Sequence, residues 1–499
     1  MELTGLISRI NAIQVTGEVQ RKDVTGIFYD SRKVIKDSVF VAIKGYRTDG
    51  HNFILDAINN GAFAVVLEDN KSVPDEIFDH NGLAKILVKD SRMALAQMSN
   101  IYFDQPSKKL KLIGITGTNG KTTTSYFIKN IFETNGNKAG LIGTISNYIG
   151  NKEIKTQLTT PESVELNELL FEMHNQGCDY AVMEVSSHSL VLNRVFDLHF
   201  SAAVFTNITS DHLDFHGTFE NYLKAKKILF DSLSPSAFGV TNSDDKNCLT
   251  LISNSKAHPL SFGTTPGADF ILKNIKYDLT GTSFSIKYRG NEYQASTALI
   301  GEFNAYNACA AFATAVSLGI REEICVEGIN TTKQVPGRFE VVGSGSKKCI
   351  IDYSHTADSL EKALLALNKI TNNENPVYTV FGCGGNRDKT KRPVMGKIAC
   401  DLSKYVIVTS DNPRYEEPMD IINDIKKGIS KTNYEVVENR EEAIKAAIDK
   451  SEDNAVILIA GKGHENYQEI KGVRNHFSDK ETAEKYLYSL SGRQAASMV

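Results

Sequence analysis

A glycine-rich loop between an apolar strand and a helix is the feature of this sequence that most constrains its fold. The stretch KLIGITGTNGKTTT (111–124) begins as an apolar strand, turns through four residues that include two glycines, and continues with Lys121 and Thr122. Apolar residues then recur at helical spacing as far as Thr134. This order surrounds a phosphate with backbone N–H groups and a helix N-terminus. The stretch therefore predicts a nucleotide-binding α/β domain.

The loop departs from the usual Walker pattern, G-x-x-x-x-G-K-[ST], in its first glycine. Ile115 occupies that position, so the strand is expected to run further and the chain to turn only at Gly117. Three interpretations are open: a chance glycine cluster, an ordinary NTPase with an altered loop, or another family that uses part of the same device. Lys121 and Thr122 at the usual offsets disfavour a chance turn, and the N-K-x-D motif of a GTPase is absent from the sequence.

Length and periodicity indicate more than one domain. A chain of 499 residues is too long for one hydrophobic core, and length alone suggests about three domains. Short β-rich segments come first, a polar Pro-containing segment follows at 103–109, and strands then alternate with helices, which implies a mainly parallel sheet. A second break falls near 331–342. We predict an α/β protein with domains at 1–107, 108–334 and 335–499.

Charge and hydropathy exclude several classes of function. Lys and Arg number 56 against 60 Asp and Glu, so no basic excess indicates a nucleic-acid partner. The first residues lack the pattern of a signal peptide, and apolar runs such as 455–460 are far shorter than the roughly 20 residues of a membrane helix. Seven scattered cysteines without a C-x-x-C pair fit a reducing compartment. We expect a cytoplasmic protein without membrane insertion.

Three apolar strands in the last third of the chain each end in a polar loop. The loops read GCGGNRDKTKRP (382–393), SDNPRYEEP (410–418) and GKGHENYQ (461–468). Ligands of open parallel sheets bind at the carboxyl ends of the strands. The three loops are therefore predicted to form one rim of a binding site.

Motifs along nearly the whole chain resemble those of the Mur ligase family. The loop form G-T-N-G-K-T is typical of that family, and the three C-terminal loops match it as well. The other matching segments are YDSRKV, GYRTDGHNF, TTPES, MEVSSHSLVLNRV, TNITSDHLDFHGT, NYLKAKKILF, GEFNAYNA, VPGRFE and DYSHTADSL. Their number and order make the resemblance specific. Ser354 and Ala357 replace the usual Ala and Pro of the family, which bears only on local loop geometry.

The resemblance implies both an architecture and a reaction. It implies a small UDP-binding α/β domain, a central P-loop ATPase-like domain with a mainly parallel sheet, and a Rossmann-like C-terminal domain. The implied enzyme is an ATP-dependent ligase that extends UDP-MurNAc-L-alanyl-D-glutamate by one amino acid, through an acyl phosphate, in peptidoglycan precursor synthesis. Two Mg²⁺ ions would assist, and we expect a monomer.

Five side chains are implied to act at the transferred phosphate. Lys121 would neutralise phosphate charge, Glu184 and Thr122 would ligate one Mg²⁺, and His212 would ligate the second. Lys226 would react with CO₂ to become N6-carboxylysine, whose carbamate supplies oxygen to the metal site. From the residues alone, Glu184 could be a solvated strand-end acid and His212 a structural loop residue. Lys226 could equally be a solvated lysine on a helix face, like its neighbours.

The resemblance also assigns residues to the three substrates. For ATP they are Gly117, Thr118, Asn119, Gly120, Lys121, Thr122, Thr123, Asn304, Asn307, Arg338 and Asp352. For UDP-MurNAc-dipeptide they are Ser31, Thr159, Thr160, Ser186 and Arg194. For the incoming amino acid they are Arg387, Asn412, Pro413, Arg414, Gly461 and Glu465. Asp352 alone could instead cap the helix that follows it.

The incoming amino acid is predicted to be meso-diaminopimelate rather than L-lysine. The resemblance links the arginine of D-N-P-R, Arg414, to members that add diaminopimelate. Arg387 and Arg414 could pair with its carboxylates, while Glu465 and the Gly461 carbonyl could accept from its distal ammonium. Lysine would leave Arg414 facing no carboxylate, which is costly. The alternative for Arg414 is a surface ion pair with Glu416 or Glu417.

Other functions fit the sequence less well. Folylpolyglutamate synthetase, a ligase of the same superfamily, has a G-K-G-S loop and lacks a UDP-binding domain. A P-loop kinase would not need the D-N-P-R and G-K-G-H-E loops. A scaffold that binds nucleotide without turnover would not need Lys121, Glu184, His212 and Lys226 together.

Overall fold

The computed structural model describes residues 1–45, 48–343, 345–372 and 374–497, with side chains as far as residue 488. Two compact units contain the chain: residues 1–269 with 310–325, and residues 270–309 with 326–499. Within the described residues, no helix combines the length and apolar character needed to span a bilayer.

The first unit begins with a five-stranded sheet in the order β1-β5-β4-β3-β2. Its elements are α1 (Leu3–Ile7), β1 (Ala12–Gly17), β2 (Ile27–Phe28), β3 (Ser38–Val41), α2 (Ile54–Asn59), β4 (Ala62–Leu67), α3 (Asp75–Asn81), β5 (Ala84–Val88) and α4 (Ser91–Tyr102). β1 is antiparallel to its neighbour and the other strands are parallel. All six residues of β4, AFAVVL, are buried, which is typical of a central parallel strand covered on both faces.

A larger sheet follows in the same unit, in the order β13-β12-β11-β6-β10-β7-β8-β9. Its elements are β6 (Lys111–Thr116), α5 (Lys121–Thr134), β7 (Ala139–Ile142), β8 (Ser146–Ile149), β9 (Lys152–Lys155), α6 (Ser163–Asn175), β10 (Tyr180–Glu184), α7 (Ser187–Val191), β11 (Phe200–Phe205), α8 (Leu213–His216), α9 (Phe219–Asp231), β12 (Phe238–Asn242), α10 (Cys248–Ile252) and β13 (His258–Gly263). β13 to β7 pair in parallel, and only β8 and β9 are added antiparallel. The mainly parallel sheet predicted from the sequence is confirmed.

The second unit contains a meander and a further parallel sheet. The remaining elements of the chain are β14 (Phe270–Asp278), β15 (Gly281–Tyr288), β16 (Asn291–Thr297), α11 (Glu302–Ser317), α12 (Glu322–Asn330), β17 (Glu340–Val342), β18 (Lys348–Asp352), α13 (Ala357–Ile370), β19 (Val377–Phe381), α14 (Lys391–Leu402), β20 (Tyr405–Val408), α15 (Pro418–Lys426), β21 (Tyr434–Val436), α16 (Arg440–Lys450), β22 (Val456–Ala460), β23 (Tyr467–Ile470), β24 (Val473–His476) and α17 (Asp479–Ser497). Residues 310–325, which include parts of α11 and α12, belong to the first unit. The sheet β17-β18-β22-β19-β20-β21 is parallel except for the edge strand β17, as expected of a Rossmann-like domain.

The three apolar strands predicted in the last third of the chain are β19, β20 and β22. They are neighbours in the sheet, in the order β22-β19-β20. Because they run parallel, their carboxyl ends lie at one edge, and the three predicted loops follow there. The common rim expected from the sequence is confirmed within this unit.

Candidate active site

The phosphate-type loop turns at Gly117, as its sequence indicates. β6 continues through Ile115 to Thr116, and Gly117 follows with φ of 150°. A Cβ on Gly117 would lie 2.0 Å from Thr206 Oγ1, so no side chain fits there. Gly120, which precedes α5, has φ of 88°, a conformation that favours glycine. The backbone therefore requires glycine at both positions. The loop between them leads directly into the N-terminus of α5.

Two lysine side chains converge on this loop. Lys121 Nζ donates to the carbonyl oxygens of Gly117 and Thr118, both at 2.9 Å. Lys226 Nζ, from α9, donates to the same Gly117 carbonyl at 2.9 Å. The two amines thus share one acceptor beside the loop.

Glu184 is held inside the protein at the end of β10. Glu184 is only 1% exposed. Oε2 accepts from the hydroxyls of Thr122 and Thr144, each at 3.0 Å, and Oε1 accepts from the Thr144 backbone N–H at 2.9 Å. Glu184 is therefore not a solvated strand-end acid, and its carboxylate lies directly beside Thr122 at the start of α5.

Lys226 differs from the lysines beside it. Lys224 is exposed and Lys227 forms an ion pair with Asp231 at 2.6 Å, whereas Lys226 is 1% exposed. Burial, and then the positive charge of Lys121, hold the pKa of Lys226 well below its usual value. The buried position therefore favours the neutral amine.

Tyr222 lies one helical turn before Lys226, on the same buried face of α9. The Lys226 Nζ is 4.4 Å from the centre of the Tyr222 ring. The Tyr222 hydroxyl lies 3.1 Å from Thr118 Oγ1. Tyr222 thus links the helix that carries Lys226 to the phosphate-type loop.

His212 lies between β11 and α8, with a left-handed backbone (φ of 53°). Its ring centre is 4.8 Å from that of His188, and its Nε2 is 3.5 Å from Asp211 Oδ2. Partial burial lowers the pKa of His212, and the charges of Lys121 and Lys226 act in the same direction, against Asp211. Burial lowers the pKa of His188 to about 4. Both rings are therefore neutral near pH 7, the form in which imidazole binds metal.

The oxygen donors beside the loop suit Mg²⁺. In the parts of the chain that the structure describes, no three His, Cys, Asp or Glu side chains are grouped to hold a metal ion. A cation here would therefore use the Glu184 carboxylate, the Thr122 hydroxyl, phosphate oxygens and water. Mg²⁺ is usually bound by one or two carboxylates together with phosphate and water. The residues present fit that ion.

Three of the residues assigned to UDP-MurNAc-dipeptide, Thr160, Ser186 and Arg194, are linked to Glu184 by hydrogen bonds. Thr160 Oγ1 donates to the Glu184 backbone oxygen at 2.8 Å and accepts from the Ser186 N–H at 3.1 Å. Arg194 Nη1 donates to the Thr160 carbonyl at 3.1 Å, and its Nε is 2.5 Å from Glu162 Oε1. These residues form one hydrogen-bonded group.

Thr159 and Ser31 complete the residues assigned to that substrate. Thr159 Oγ1 lies 3.1 Å from Thr144 Oγ1, so Thr159 also adjoins the Glu184 group. Ser31 begins a short 3₁₀ turn between β2 and β3 and is 8% exposed, and its carbonyl accepts from Asn60 Nδ2 at 3.0 Å.

Thr144 is a residue that sequence reasoning missed. It makes two hydrogen bonds to Glu184 and follows Gly143, directly after β7. A polar residue after an apolar strand in a parallel sheet is a usable signal, because such strand ends meet at one edge. The segment LIGT (141–144) has this signal, as does the strand that ends at Glu184.

The second unit contains the other residues assigned to ATP. Asn304 and Asn307 are buried in α11, where Asn307 Nδ2 donates to Asn304 Oδ1 at 3.1 Å. The guanidinium of Arg338 lies 4.7 Å from the centre of the Tyr353 ring.

Asp352 binds a loop rather than capping a helix. It accepts from the Phe339 N–H at 3.0 Å and from the N–H and hydroxyl of Ser354. Thr356, together with Ser359, caps α13 instead, and Ala357 is the first residue of that helix. Desolvation raises the pKa of Asp352 despite these donors. The helix-cap alternative for Asp352 is therefore wrong, and the unusual Ser354 supplies two of its hydrogen bonds.

Two of the strand-end loops are joined by a buried polar group. Asn412 Nδ2 donates to Glu465 Oε2 at 2.8 Å, and Asn412 Oδ1 accepts from Lys462 Nζ at 3.0 Å. Lys462 is fully buried. Burial raises the pKa of Glu465 above its usual value. The positive charge of Lys462 opposes this shift, and the negative charge of Asp411 adds to it. Asn412 and Glu465 are thus held together before any ligand is considered.

The remaining loop residues differ in exposure. Gly461, with φ of 118°, lies so close to Asp411 that a Cβ would be 2.6 Å from its Oδ2. Pro413 is buried against Gly385, while Arg387 is exposed. The exposed side chain of Arg387 can reach a ligand, whereas buried Pro413 contributes to the shape of its loop.

The surface ion pair considered as the alternative for Arg414 is not the one observed. Glu416 pairs with Arg392 through both carboxylate oxygens at 3.0 Å. Arg414 instead donates from Nη1 to the Gly385 carbonyl at 3.0 Å, and its Nε lies 3.7 Å from Glu469 Oε2. The alternatives Glu416 and Glu417 are therefore wrong, and so is the expectation that Arg414 faces no carboxylate of the protein.

Three regions of the chain match the domains of one known protein family. Residues 23–103 match the catalytic domain of the Mur ligase family, residues 115–315 the Mur ligase middle domain, and residues 337–463 the Mur ligase glutamate ligase domain. The matched regions cover most of the chain and include the phosphate-type loop and the strand-end loops at 382–393 and 410–418.

Two relatives that match over nearly their full length are named as the same kind of ligase. The chain is 44% identical over 493 residues to UDP-N-acetylmuramoyl-L-alanyl-D-glutamate--2,6-diaminopimelate ligase 1 of Clostridium acetobutylicum, with 98% of this chain and 100% of that protein covered. It is 43% identical over 485 residues to the corresponding ligase of Bacteroides thetaiotaomicron, with 96% and 98% covered.

Solved structures agree with this grouping. A structure with the same ligase name superposes with a TM-score of 0.70 at 31% identity, covering 98% of this chain and 99% of that one. Folylpolyglutamate synthase of Mycobacterium tuberculosis superposes with a TM-score of 0.61 at 17% identity and covers 74% of this chain and 92% of its own. The second likeness is one of fold alone.

Proposed function

The chain belongs to the Mur ligase family, and from that premise we propose that it is the ATP-dependent ligase that adds meso-diaminopimelate to UDP-MurNAc-L-alanyl-D-glutamate. The reaction forms the amide bond of a peptidoglycan precursor. The observation that carries the proposal is 44% identity, over nearly the whole chain, to a ligase of that name. The grouping of Lys121, Glu184 and Lys226 at the phosphate-type loop supports it.

The first half of the reaction is phosphoryl transfer. An oxygen of the D-glutamate carboxylate forms a bond to the γ-phosphorus of ATP, the bond to the β-phosphate oxygen breaks, and ADP leaves. Lys121 and the loop amides beside Gly117 and Gly120 neutralise charge on the transferred group. The product is an acyl phosphate.

The second half is acyl transfer to the amino acid. The neutral amine of diaminopimelate attacks the acyl carbon, a tetrahedral intermediate forms, and inorganic phosphate leaves as the amine loses a proton. We propose that Arg387 and Arg414 bind its carboxylates and that Glu465 and the Gly461 carbonyl accept from its distal ammonium. Asn412 orients Glu465 through the hydrogen bond of 2.8 Å, and Pro413 shapes the loop.

Two Mg²⁺ ions are proposed beside the loop. Thr122 and Glu184 would hold one, and His212 with a modified Lys226 would hold the other. When bound, the ions supply positive charge to the phosphate oxygens. The close pairing of the Thr122 hydroxyl and the Glu184 carboxylate, at 3.0 Å, supports the first assignment.

Lys226 is proposed to be N6-carboxylysine. Its neutral amine would attack CO₂, a nitrogen–carbon bond would form, and a proton would be released to leave an anionic carbamate. The lowered pKa of Lys226 supports this, because only the neutral amine reacts. The nearby positive charge of Lys121 would stabilise the carbamate once it forms.

We also propose sites for the other substrate groups. Asn304, Asn307, Arg338 and Asp352 would contact ATP outside its phosphates, and Ser31, Thr159, Thr160, Ser186 and Arg194 would contact UDP-MurNAc-dipeptide. Domains at 1–107, 108–334 and 335–499 would bind the UDP end, ATP and the amino acid respectively. A cytoplasmic monomer is proposed; the seven cysteines, none of which is in a disulfide bond, accord with a reducing compartment.

Substrate-dependent release of phosphate tests the proposed function. Purified protein with ATP, Mg²⁺ and UDP-MurNAc-L-alanyl-D-glutamate should release phosphate only when an amino acid of the correct kind is added. Among a panel of amino acids, meso-diaminopimelate should give the highest kcat/KM, and mass spectrometry should detect the UDP-MurNAc-tripeptide. Turnover without the UDP-linked substrate, or with none of the panel, would refute the assignment.

Lys121→Ala should lower kcat by about 100-fold, because it removes a charge directed at the transferred phosphoryl group. Folding should be unaffected, since the lysine is only half-buried and its hydrogen bonds are to loop carbonyls. The measurement is steady-state ligation with a thermal unfolding curve. Lys129→Ala is the matched control: it lies on the same helix and pairs with Glu133 at 2.5 Å. Near-normal turnover of Lys121→Ala would contradict the role in phosphate binding.

A further inference from the structure

The β23–β24 hairpin holds the loop that carries Arg414. The Arg414 N–H donates to the Glu469 carbonyl at 3.0 Å, and the Lys471 N–H donates to the Arg414 carbonyl at 2.6 Å. The Glu469 N–H donates to Asn412 Oδ1 at 2.9 Å. Arg414 has φ of 55°, an unusual value for a large side chain. These backbone hydrogen bonds maintain that conformation, independently of the Glu469 side chain.

The Glu469 carboxylate lies between two guanidinium groups. Its Oε2 is 3.7 Å from Arg414 Nε and 3.9 Å from Arg474 Nε. Glu469 and Arg474 are cross-strand partners in the hairpin. The side chains of Glu469 and Arg414 are only 19% and 20% exposed, whereas that of Arg474 is 62% exposed. Glu469 therefore interacts more closely with the better shielded cation, Arg414.

This arrangement creates competition at Arg414. A ligand carboxylate that pairs with Arg414 must approach the Glu469 carboxylate, and like charges at short range repel. A ligand without that carboxylate leaves Arg414 paired with Glu469, so no unpaired cation results. Both effects reduce the difference in binding between the two kinds of ligand. Arg474 also interacts with the Glu469 carboxylate and thereby weakens the interaction between Glu469 and Arg414.

We propose that Glu469 is a specificity-determining residue that limits how strongly Arg414 selects an amino acid with a distal carboxylate. The inference rests on the proposed function, in which Arg414 binds that carboxylate. Glu469 weakens the binding of diaminopimelate and makes lysine less unfavourable. It acts through Arg414 and does not take part in the chemical steps.

Glu469→Gln tests the proposal, since it removes the charge but keeps the size of the side chain and the backbone hydrogen bonds. The KM for meso-diaminopimelate should fall about 3-fold with kcat unchanged, as expected for a partly shielded ion pair. The preference for diaminopimelate over lysine, as a ratio of kcat/KM values, should rise by at least that factor. A residue that only supports the loop would give the opposite result, a higher KM and a lower melting temperature.

Arg474→Gln is the matched variant with an effect of opposite sign. Without Arg474, Glu469 interacts with Arg414 alone, so the KM for diaminopimelate should rise about 2-fold. A KM that is unchanged or raised in Glu469→Gln, or lowered in Arg474→Gln, overturns the proposal. Wild-type protein that fails to ligate diaminopimelate refutes the proposed function and this inference together. Active wild type with no gain in Glu469→Gln refutes this inference alone.

Discussion

Lys226→Ala is expected to lose about 10³-fold in kcat for ligation, the scale of removing a preorganised charge from a site of developing charge. Lys226 is 1% exposed and donates to Gly117, so its modified form would lie against the phosphate-type loop. Alanine removes both the amine and the carbamate proposed to form on it. The measurement is phosphate release in the presence of all three substrates, with bicarbonate in the buffer.

Chemical rescue distinguishes the carbamate from a structural lysine. A short carboxylic acid that fills the space left in Lys226→Ala should restore part of the activity, because it replaces the anionic oxygen. Lys227→Ala is the matched control, as the neighbouring lysine pairs with Asp231 at 2.6 Å and should retain activity. An active Lys226→Ala protein, together with unmodified Lys226 in the mass spectrum of the intact wild type, would count against the modification.

Wild-type protein is expected to prefer meso-diaminopimelate over L-lysine by about 10³-fold in kcat/KM. A site built for a polar group can reject the analogue without it by about 10⁴-fold, because its own groups are left unpaired. Arg414 is not left unpaired here, since Glu469 lies 3.7 Å away, so the expected ratio is several-fold smaller. Steady-state kinetics with both amino acids give the ratio directly.

Replacement of Arg414 should abolish most of that preference. In Arg414→Gln the KM for diaminopimelate should rise strongly, while use of lysine changes little, because lysine has no carboxylate at that end. Lys471→Gln is the control: its exposed side chain lies 3.7 Å from Glu417, and its backbone N–H remains available to Arg414. A preference for lysine in the wild type, or unchanged use of diaminopimelate by Arg414→Gln, would refute the assignment of Arg414.

Local patterns in the sequence were enough to predict the elements around the loop. The apolar run before Gly117 predicted a strand that continues past Ile115, and β6 ends at Thr116. Apolar spacing predicted a helix to Thr134, where α5 ends. Backbone conformation and side-chain periodicity depend on neighbouring residues, so these features can be read without knowing the fold. The parallel pairing of β19 with β20 and β22 followed from the same alternation of strand and helix.

Contacts between distant parts of the chain could not be read in this way. Thr144 meets Glu184 because β7 and β10 are neighbours in the sheet. Lys226 is buried against Gly117, which no pattern within α9 reveals. The lowered pKa of Lys226 follows from that burial.

The sequence by itself therefore determined the fold class, the loop and the residue types of the candidate site. Only the tertiary structure decided which charges face each other. An ion pair with Glu416, two residues from Arg414, was the alternative that the sequence left open, yet the β23–β24 hairpin brings Glu469 to Arg414 and leaves Glu416 to Arg392. Electrostatic interactions depend on separation in space and on shielding from water, and neither quantity is fixed by separation along the chain.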